Sequence, residues 1–143
     1  MKKKVCILGS TGSIGVSTLN ILSNDKKNFK IILLSANKNF KLLFKQAKVF
    51  KPKYIYANNL FLENKIKYFC KKNKIVIIND LNSLKKIKFD ITVSAISGIA
   101  GLLPTINIIK FSRKILIANK ESIICGWKLF QMNLKSIIVF LYQ

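Results

Sequence analysis

The chain has 143 residues, enough for one domain of ordinary size, and half of them are hydrophobic, so it can build a core. No apolar run reaches the roughly 18 residues that a membrane-spanning helix needs, and we therefore expect no membrane partner. The formal net charge of +21 comes almost entirely from dispersed lysines, and Arg113 is the only arginine. Base readout and stacking favour arginine, so nucleic acid is not the expected partner.

The composition offers a simpler explanation of the charge. An abundance of lysine, asparagine, isoleucine and phenylalanine is typical of the codon usage of an AT-rich genome. The competing interpretation, a non-catalytic basic module that binds nucleic acid or acidic surfaces, rests on charge alone. In either case the charge can help to attract phosphorylated ligands.

The cysteines bear on the metal content and the compartment. Cys6, Cys70 and Cys125 are widely separated and form no C-x-x-C pair, and the chain has no histidine, so we expect no zinc site. Free thiols suit a reducing compartment. The first predicted strand begins near residue 4, which leaves no room for a signal or transit peptide, and a bacterial cytoplasm is therefore the expected location.

The first strand is predicted at Val5–Leu8 and is followed at once by three glycines at a spacing of three, Gly9, Gly12 and Gly15. An amphipathic helix is predicted over Ile14–Ser23. Strand, glycine turn and helix together are typical of the first unit of a nucleotide-binding α/β fold. The glycines allow close approach to a pyrophosphate, and the helix N-terminus offers free N–H groups. A purely structural turn is the alternative, because the spacing is G-x-x-G-x-x-G rather than the usual G-x-G-x-x-G.

The second strand, Lys30–Ser35, ends in a polar segment that bears on the choice of cofactor: Asn37, Lys38 and Asn39. In folds of this kind an acidic residue at this place binds the ribose 2′-hydroxyl of NAD, whereas a neutral or basic group accommodates the 2′-phosphate of NADP. The lack of a carboxylate in this segment predicts NADP(H), with Lys38 near the phosphate. A lysine placed there by composition alone is the competing explanation.

The middle of the chain continues the alternation of strands and helices. The predicted elements are a helix over Phe40–Phe50, a strand over Tyr54–Ala57, a helix over Leu60–Cys70, a strand over Ile75–Ile78 and a helical turn after Asp80. This order predicts a Rossmann-like α/β fold with a doubly wound, mostly parallel sheet and helices on both faces.

A fifth strand, Ile91–Ala95, is followed by a loop in which small residues predominate: Ser97, Gly98, Ala100 and Gly101. Loops on the carboxyl side of parallel strands bind ligands in open α/β sheets, and small residues let a ligand approach the backbone. A tight turn into a helix that carries Pro104 near its start is the alternative.

A sixth strand, Ile115–Ala118, ends directly in Asn119, Lys120 and Glu121, ahead of a helix over Ser122–Met132. Polar side chains at the carboxyl end of a buried strand are placed to meet a ligand. The lysine can bind an anion, the amide can form directional bonds and the glutamate can accept from a hydroxyl. The alternative is a helix start with Asn119 as the N-cap, and both can hold together.

Three stretches resemble, in order and spacing, the 1-deoxy-D-xylulose 5-phosphate reductoisomerase family: Gly9–Gly15, Ala95–Thr105 and Leu116–Ser122. They read G-S-T-G-S-I-G, A-I-S-G-I-A-G-L-L-P-T and L-I-A-N-K-E-S, and the resemblance covers nearly the whole chain. The family rearranges and reduces deoxyxylulose phosphate to methylerythritol phosphate in non-mevalonate isoprenoid synthesis, with NADPH and a divalent metal, Mg or Mn. Another NADP-dependent reductase, such as a semialdehyde dehydrogenase, would need a catalytic histidine, which this chain lacks.

The resemblance implies a set of residues that bind the phosphate end of NADPH. It places four residues of the glycine turn at the pyrophosphate, namely Thr11, Gly12, Ser13 and Ile14. It places Lys38 and Asn39 at the adenosine end of the cofactor. Asn37 stands beside them at a position where the family often has glycine.

The resemblance also implies contacts on the other side of the cofactor. Asn119 and Glu121 are expected near the nicotinamide half, and Lys120 is expected to bind the substrate. The loop Ile96–Gly101 is expected to line the cofactor groove, with Ser97 in place of an apolar residue.

The resemblance stops short of the family's metal site. In the family a segment reading about D-S-E-H follows the strand that is predicted here over Ser136–Phe140, and it supplies metal-binding acids; this chain has no such segment. Its five acidic residues lie upstream without metal-ligand spacing. We therefore expect residues 1–143 to form the NADPH-binding domain alone, without catalytic, metal-binding or C-terminal domains and without turnover by itself. The family is expected to act as a homodimer on a phosphorylated sugar.

Overall fold

The computed structural model describes residues 1–133. Within them, six strands and five α-helices follow one another as β1 (Lys3–Leu8), α1 (Ser13–Ser23), β2 (Phe29–Ser35), α2 (Phe40–Phe50), β3 (Tyr54–Tyr56), α3 (Asn64–Lys72), β4 (Val76–Ile78), β5 (Phe89–Ser94), α4 (Leu102–Ile109), β6 (Ser112–Ile117) and α5 (Lys120–Asn133). Short 3₁₀ turns lie at Asn59–Phe61, Leu81–Ser83 and Ile99–Gly101. The strand predicted over Ser136–Phe140 lies outside the described residues.

The six strands form one parallel sheet with the order β4-β3-β2-β1-β5-β6. In β1, Val5 lies opposite Ile31 of β2 and Ile91 of β5. The chain therefore adds strands on one side of β1 as far as β4 and then returns to add β5 and β6 on the other side. This confirms the predicted Rossmann-like, doubly wound sheet. The strand order reverses beside β1, where open α/β sheets bind their ligands.

The hydrophobic core is divided between the two faces of the sheet, because successive side chains of a strand point to opposite faces. Val5 and Ile7 of β1 belong to one cluster, together with side chains from α1, α2 and α3. Cys6 and Leu8 belong to the other, together with side chains from α4 and α5. Right-handed crossovers explain the division, since connections that lead in opposite directions from β1 place their helices on opposite faces.

The segment after β3 differs from its prediction. The sequence predicts one helix over Leu60–Cys70, whereas the structure has a 3₁₀ turn over Asn59–Phe61 and begins α3 only at Asn64. The first two apolar residues of the predicted helix are exposed and Leu62 is buried, so this apolar run does not continue the buried stripe of α3. The prediction is wrong before Asn64 and correct after it. The other predicted elements within the described chain are present, with boundaries shifted by a few residues.

No helix among residues 1–133 combines the length and the apolar character needed to cross a bilayer.

Candidate functional site

A cleft of about 870 Å³ opens at the carboxyl edge of the sheet, beside the reversal of strand order between β1 and β5. This volume is typical of ligand sites, which span about 300–1,000 Å³. The residues that line it are Gly9, Thr11, Gly12, Ser35, Ala36, Asn37, Lys38, Asn39, Tyr56, Ala57, Asn58, Asn79, Ala95, Ile96, Ser97, Ala100 and Pro104. Among these lining residues Lys38 is the only charged one, so the cleft favours an anionic ligand.

Each glycine of the glycine turn, residues 9–15, has a different physical role. Gly9 has a φ of 76°, and a Cβ there would lie 2.7 Å from the carbonyl oxygen of Ala95. A Cβ on Gly15 would overlap the carbonyl oxygen of Gly9, whereas a Cβ on Gly12 would meet nothing nearer than 3.6 Å. Gly9 and Gly15 therefore let the turn and α1 pack closely against the strands, while Gly12 leaves the backbone open to a ligand.

The first turn of α1 presents backbone N–H groups beside the cleft. Gly12 is the N-cap and makes no side-chain cap bond, and the first i to i−4 hydrogen bond runs from Val16 N to Gly12 O at 2.9 Å. The amides of Ser13 and Ile14 precede it and have no acceptor within the helix. Both residues are exposed beside the turn and lie outside the cleft lining. Free amides and the positive end of the helix dipole together favour a phosphate here.

A buried hydrogen-bond network lies beneath the glycine turn. From α2, Gln46 Nε2 donates to Ser10 O at 2.8 Å, and Gln46 Oε1 accepts from Ser10 Oγ at 2.8 Å. From β2, Ser35 Oγ accepts from Gly9 N at 2.7 Å, and Ser35 O accepts from Ser10 N at 2.9 Å. All three side chains are buried. Sequence reasoning missed this network, and its only signal is that Gln46 stands in the apolar stripe of α2, three residues after Leu43.

The segment after β2 places Asn37, Lys38 and Asn39 in the lining of the cleft, and the contact with the adenosine end of a cofactor stays a prediction. Asn39 also caps α2, because its Oδ1 accepts from Leu42 N at 3.1 Å. The resemblance leads us to expect a glycine at the position of Asn37 in many members of the family. The φ of Asn37 lies outside the left-handed region, so this position does not require glycine.

The cleft extends to the ends of β3 and β4, which no sequence motif marks as a site. Tyr56, Ala57 and Asn58 line it at the end of β3, and Asn79 lines it after β4. Burial raises the pKa of the Tyr56 hydroxyl, and the carboxylate of Asp80 raises it further, so this phenol is neutral at physiological pH. The predicted sheet topology could have identified these residues, because the carboxyl ends of all parallel strands, including β3 and β4, lie at the same edge of the sheet.

Asn119 holds the loop that follows β5. Its Nδ2 donates to Ile96 O at 2.6 Å and to Gly98 O at 2.5 Å, and its Oδ1 accepts from Ser122 N at 3.2 Å. The residue is only 5% exposed, and both hydrogens of its amide are used within the chain. The N-cap predicted as the alternative for Asn119 is therefore present. The cofactor contact that the resemblance implies for this residue stays a prediction.

The two residues after Asn119 also lie outside the cleft lining. Lys120 and Glu121 are exposed in the first turn of α5, where a negative charge such as that of Glu121 is favourable. The predicted site residues thus fall into two groups. The cleft is lined by Thr11, Gly12, Asn37, Lys38 and Asn39. Outside its lining are Ser13, Ile14, Asn119, Lys120 and Glu121.

The acidic residues do not assemble into a metal site. Within residues 1–133, no three histidine, cysteine, aspartate or glutamate side chains come together. Asp90 instead accepts from Lys4 N at 2.8 Å and lies 3.6 Å from Arg113 Nε, and Glu63 pairs with Lys65 at 2.8 Å. The side chains described do not fit the divalent metal that the resemblance implies, and we assign them no metal-dependent step.

Comparisons with known proteins identify relatives of this chain. A family model described as 1-deoxy-D-xylulose 5-phosphate reductoisomerase matches residues 5–126. Proteins of that name from Pelagibacter ubique (strain HTCC1062) and Buchnera aphidicola subsp. Schizaphis graminum (strain Sg) are 49% and 43% identical over 141 and 133 residues. The alignments cover 93% and 87% of this chain but 36% and 33% of the relatives, so the chain spans about a third of their length.

Solved structures agree with these matches. A 1-deoxy-D-xylulose 5-phosphate reductoisomerase from Zymomonas mobilis in complex with NADPH is similar with a TM-score of 0.80 at 27% identity, covering 97% of this chain and 39% of that one. A DOX-P reductoisomerase in complex with NADPH, fosmidomycin and magnesium is similar with a TM-score of 0.79 at 26% identity, covering 96% of this chain and 35% of that one. Both similarities extend over nearly all of this chain.

Proposed function

Because this chain belongs to the 1-deoxy-D-xylulose 5-phosphate reductoisomerase family, we propose that it is the NADPH-binding portion of an enzyme that rearranges and reduces 1-deoxy-D-xylulose 5-phosphate. The observation that supports this most directly is the cleft at the reversal of strand order, with the glycine turn and Lys38 among its walls. In this proposal residues 1–143 form one cofactor-binding domain. NADPH supplies the hydride, and the residues of this chain bind and orient it.

The proposed binding mode follows from the groups along the cleft. The backbone at Thr11 and Gly12 and the first-turn amides of α1, those of Ser13 and Ile14, face the pyrophosphate, whose charge a helix N-terminus favours. Lys38 faces the 2′-phosphate that distinguishes NADPH from NADH. Asn37 and Asn39 flank this lysine at the adenosine end.

Further roles come from family membership. Asn119 and Glu121 contact the nicotinamide half, and Lys120 binds the phosphorylated substrate. Since both hydrogens of the Asn119 amide are already engaged, its contact uses its backbone or the second lone pair of Oδ1. The complete protein, in this proposal, uses a divalent metal, forms a homodimer and works in a bacterial cytoplasm, with metal ligands other than the acids described.

Lys38 provides the sharpest test of this binding mode. A hydrogen bond to a charged group contributes about 1.5–3 kcal/mol, so Lys38→Ala should weaken NADPH binding roughly ten- to a hundredfold and leave the weaker NADH binding unchanged. Lys41→Ala removes an exposed lysine of α2 outside the cleft lining and is the matched control for net charge. Titrations that follow NADPH and NADH fluorescence measure these affinities.

The outcomes separate the role of Lys38 from the function as a whole. If Lys38→Ala and Lys41→Ala weaken NADPH binding equally, Lys38 acts only through net charge. If the unaltered chain does not bind NADPH, the proposed function is wrong. With NADPH, Mg²⁺ and 1-deoxy-D-xylulose 5-phosphate we expect no turnover by the 143-residue chain, and metal-dependent oxidation of NADPH would contradict that expectation.

A further inference from the structure

The glycine turn is oriented from outside the cleft, and we propose that Gln46 is a positioning residue that aims the Thr11 amide at the bound pyrophosphate. The inference rests on the proposed NADPH site. Gln46 lies in α2, is 7% exposed and does not line the cleft, so it acts through the backbone of the turn. Neither the family resemblance nor the glycine motif points to it.

Gln46 and Ser10 match each other in both directions. The glutamine amide offers an acceptor oxygen and a donor nitrogen, and Ser10 offers a donor hydroxyl and an acceptor carbonyl. Both bonds of this pair measure 2.8 Å. Ser10 is fully buried, so water cannot readily replace the glutamine, and removing the amide leaves the Ser10 carbonyl without this partner.

The bond to the Ser10 carbonyl fixes the direction of the next amide. The peptide unit that joins Ser10 to Thr11 is trans and planar, so its C=O and N–H point in opposite directions. Gln46 holds the C=O toward the buried side of α2. The Thr11 N–H therefore points away from α2, toward the cleft that Thr11 lines.

The preceding peptide unit is fixed as well. Ser10 N donates to Ser35 O at 2.9 Å, and Gly9 N donates to Ser35 Oγ at 2.7 Å. The backbone on both sides of Ser10 is thus set by side chains and backbone from β2 and α2 before a ligand binds. Such preorganised donors bind an anion without the cost of ordering the loop.

The variants should test the hydrogen bonds of the Gln46 side chain rather than its volume. Its neighbours on the buried stripe of α2 are Leu43 and Ala47, and an apolar residue would suit the same face. A buried amide is favourable only when its hydrogen bonds are made. Gln46→Met keeps the unbranched side chain without amide groups, and Gln46→Glu keeps acceptor oxygens without the N–H donors.

Binding of two ligands to the 143-residue chain separates positioning from folding. Calorimetry would compare NADPH with 2′-AMP, which carries the adenosine 2′-phosphate but no pyrophosphate. We expect both Gln46 variants to bind NADPH about tenfold more weakly and 2′-AMP with unchanged affinity. Ile66→Val removes a buried methylene from α3, away from the glycine turn, and should bind both ligands as the unaltered chain does.

Each result decides the proposal. Selective weakening of NADPH binding supports it, whereas equal weakening of both ligands, or unchanged NADPH binding by Gln46→Met, overturns it. If circular dichroism shows that Gln46→Met is unfolded, the affinities of Gln46→Glu for NADPH and for 2′-AMP decide instead. Unfolding of both variants overturns the proposal in favour of a purely structural role. Failure of the unaltered chain to bind NADPH refutes the proposed function and this inference together, and it is visible before any variant is made.

Discussion

The two loops that form walls of the cleft reach their shapes by different physical means. In the glycine turn, close packing acts together with the hydrogen bonds from β2 and α2, because Gly9 and Gly15 leave no room for a Cβ. The β5 loop, residues 96–101, is held by hydrogen bonds from one side chain, Asn119, to two of its carbonyl groups, and by the close approach of Gly101 to the carbonyl group of Ile96 within the loop. The glycine turn is therefore held by several neighbouring elements, whereas the β5 loop depends on Asn119 and on contacts within the loop itself.

The difference predicts which substitutions each loop tolerates. A Cβ on Gly98, in the β5 loop, would meet nothing within 4 Å, and only its φ of 70° favours glycine. A Cβ on Gly15 would overlap backbone atoms that cannot move without shifting the end of β1. Substitution of Gly15 should therefore cost more than the matched substitution of Gly98.

Gly15→Ala should have the largest effect. The new Cβ would overlap Gly9 O and lie 2.6 Å from Ser10 Cα. Overpacking against backbone should lower the free energy of unfolding by at least about 3 kcal/mol, although alanine is intrinsically about 1 kcal/mol better than glycine in a helix. Gly98→Ala, the matched change, should cost about 1–3 kcal/mol from backbone strain. Urea denaturation measures both, and a greater loss for Gly98→Ala would contradict the comparison.

Asn119→Asp should have the next largest effect. Asparagine and aspartate are equally good N-caps, so the substitution leaves the cap of α5 and removes the two N–H donors to the β5 loop. We expect a loss of about 1–3 kcal/mol in unfolding free energy, since two partly buried carbonyl groups lose their partner. Asn39→Asp is the control, because Asn39 caps α2 through Leu42 N alone. Equal effects of the two substitutions would mean that the β5 loop does not depend on Asn119.

The buried thiol of Cys6 should make the stability of the chain depend on pH, a smaller effect that reports on β1, the strand that leads into the glycine turn. It is fully buried in β1, and burial raises the pKa of its thiol above the ordinary value of 9.0. The folded chain keeps this proton at a pH where the unfolded chain loses it. The contribution of Cys6 to the free energy of unfolding should therefore be fully present below pH 9. Above pH 9 this contribution should fall by about 1.4 kcal/mol per pH unit.

The measurement of the Cys6 effect is urea denaturation between pH 8 and pH 10, with Cys6→Ala as the comparison. In the Cys6→Ala variant, the free energy of unfolding should no longer show the fall with rising pH that Cys6 contributes. In the native protein a thiol reagent should label the exposed Cys125 of α5 and leave Cys6 unlabelled until the chain unfolds. Rapid labelling of Cys6 under native conditions would show that β1 and the glycine turn open more readily than the packing implies.

Local patterns were enough to predict most of the fold. The helix predicted over Phe40–Phe50 agrees with α2, because its apolar spacing and the break before Pro52 are both local signals. The apolar residues of 60–62 misled the prediction of α3, since hydrophobicity alone does not show which of them enters the core. The three glycines and the polar end of β2 located the cleft, because parallel strands end at one edge.

The supports behind the cleft were not predictable in the same way. Gln46 bonds Ser10 across 36 positions, and Asn119 bonds Ile96 across 23. Neither pair has a short-range signature, and a polar residue in an apolar stripe does not name its partner. Such contacts depend on how helices and strands are placed in three dimensions, which periodicity does not determine.

The place of β1 in the sheet also sets the order in which the cleft can assemble. β1 pairs Lys4 with Lys30 on one side, but on the other Lys4 N donates to Asp90, 86 positions away. Closing so long a loop costs chain entropy, and pairings of high contact order form late. As the chain leaves a ribosome, four strands can be paired before the opposite wall has been synthesised. A nascent chain that has not reached Phe89 holds the whole glycine turn but lacks the wall of the cleft that residues 95–104 form.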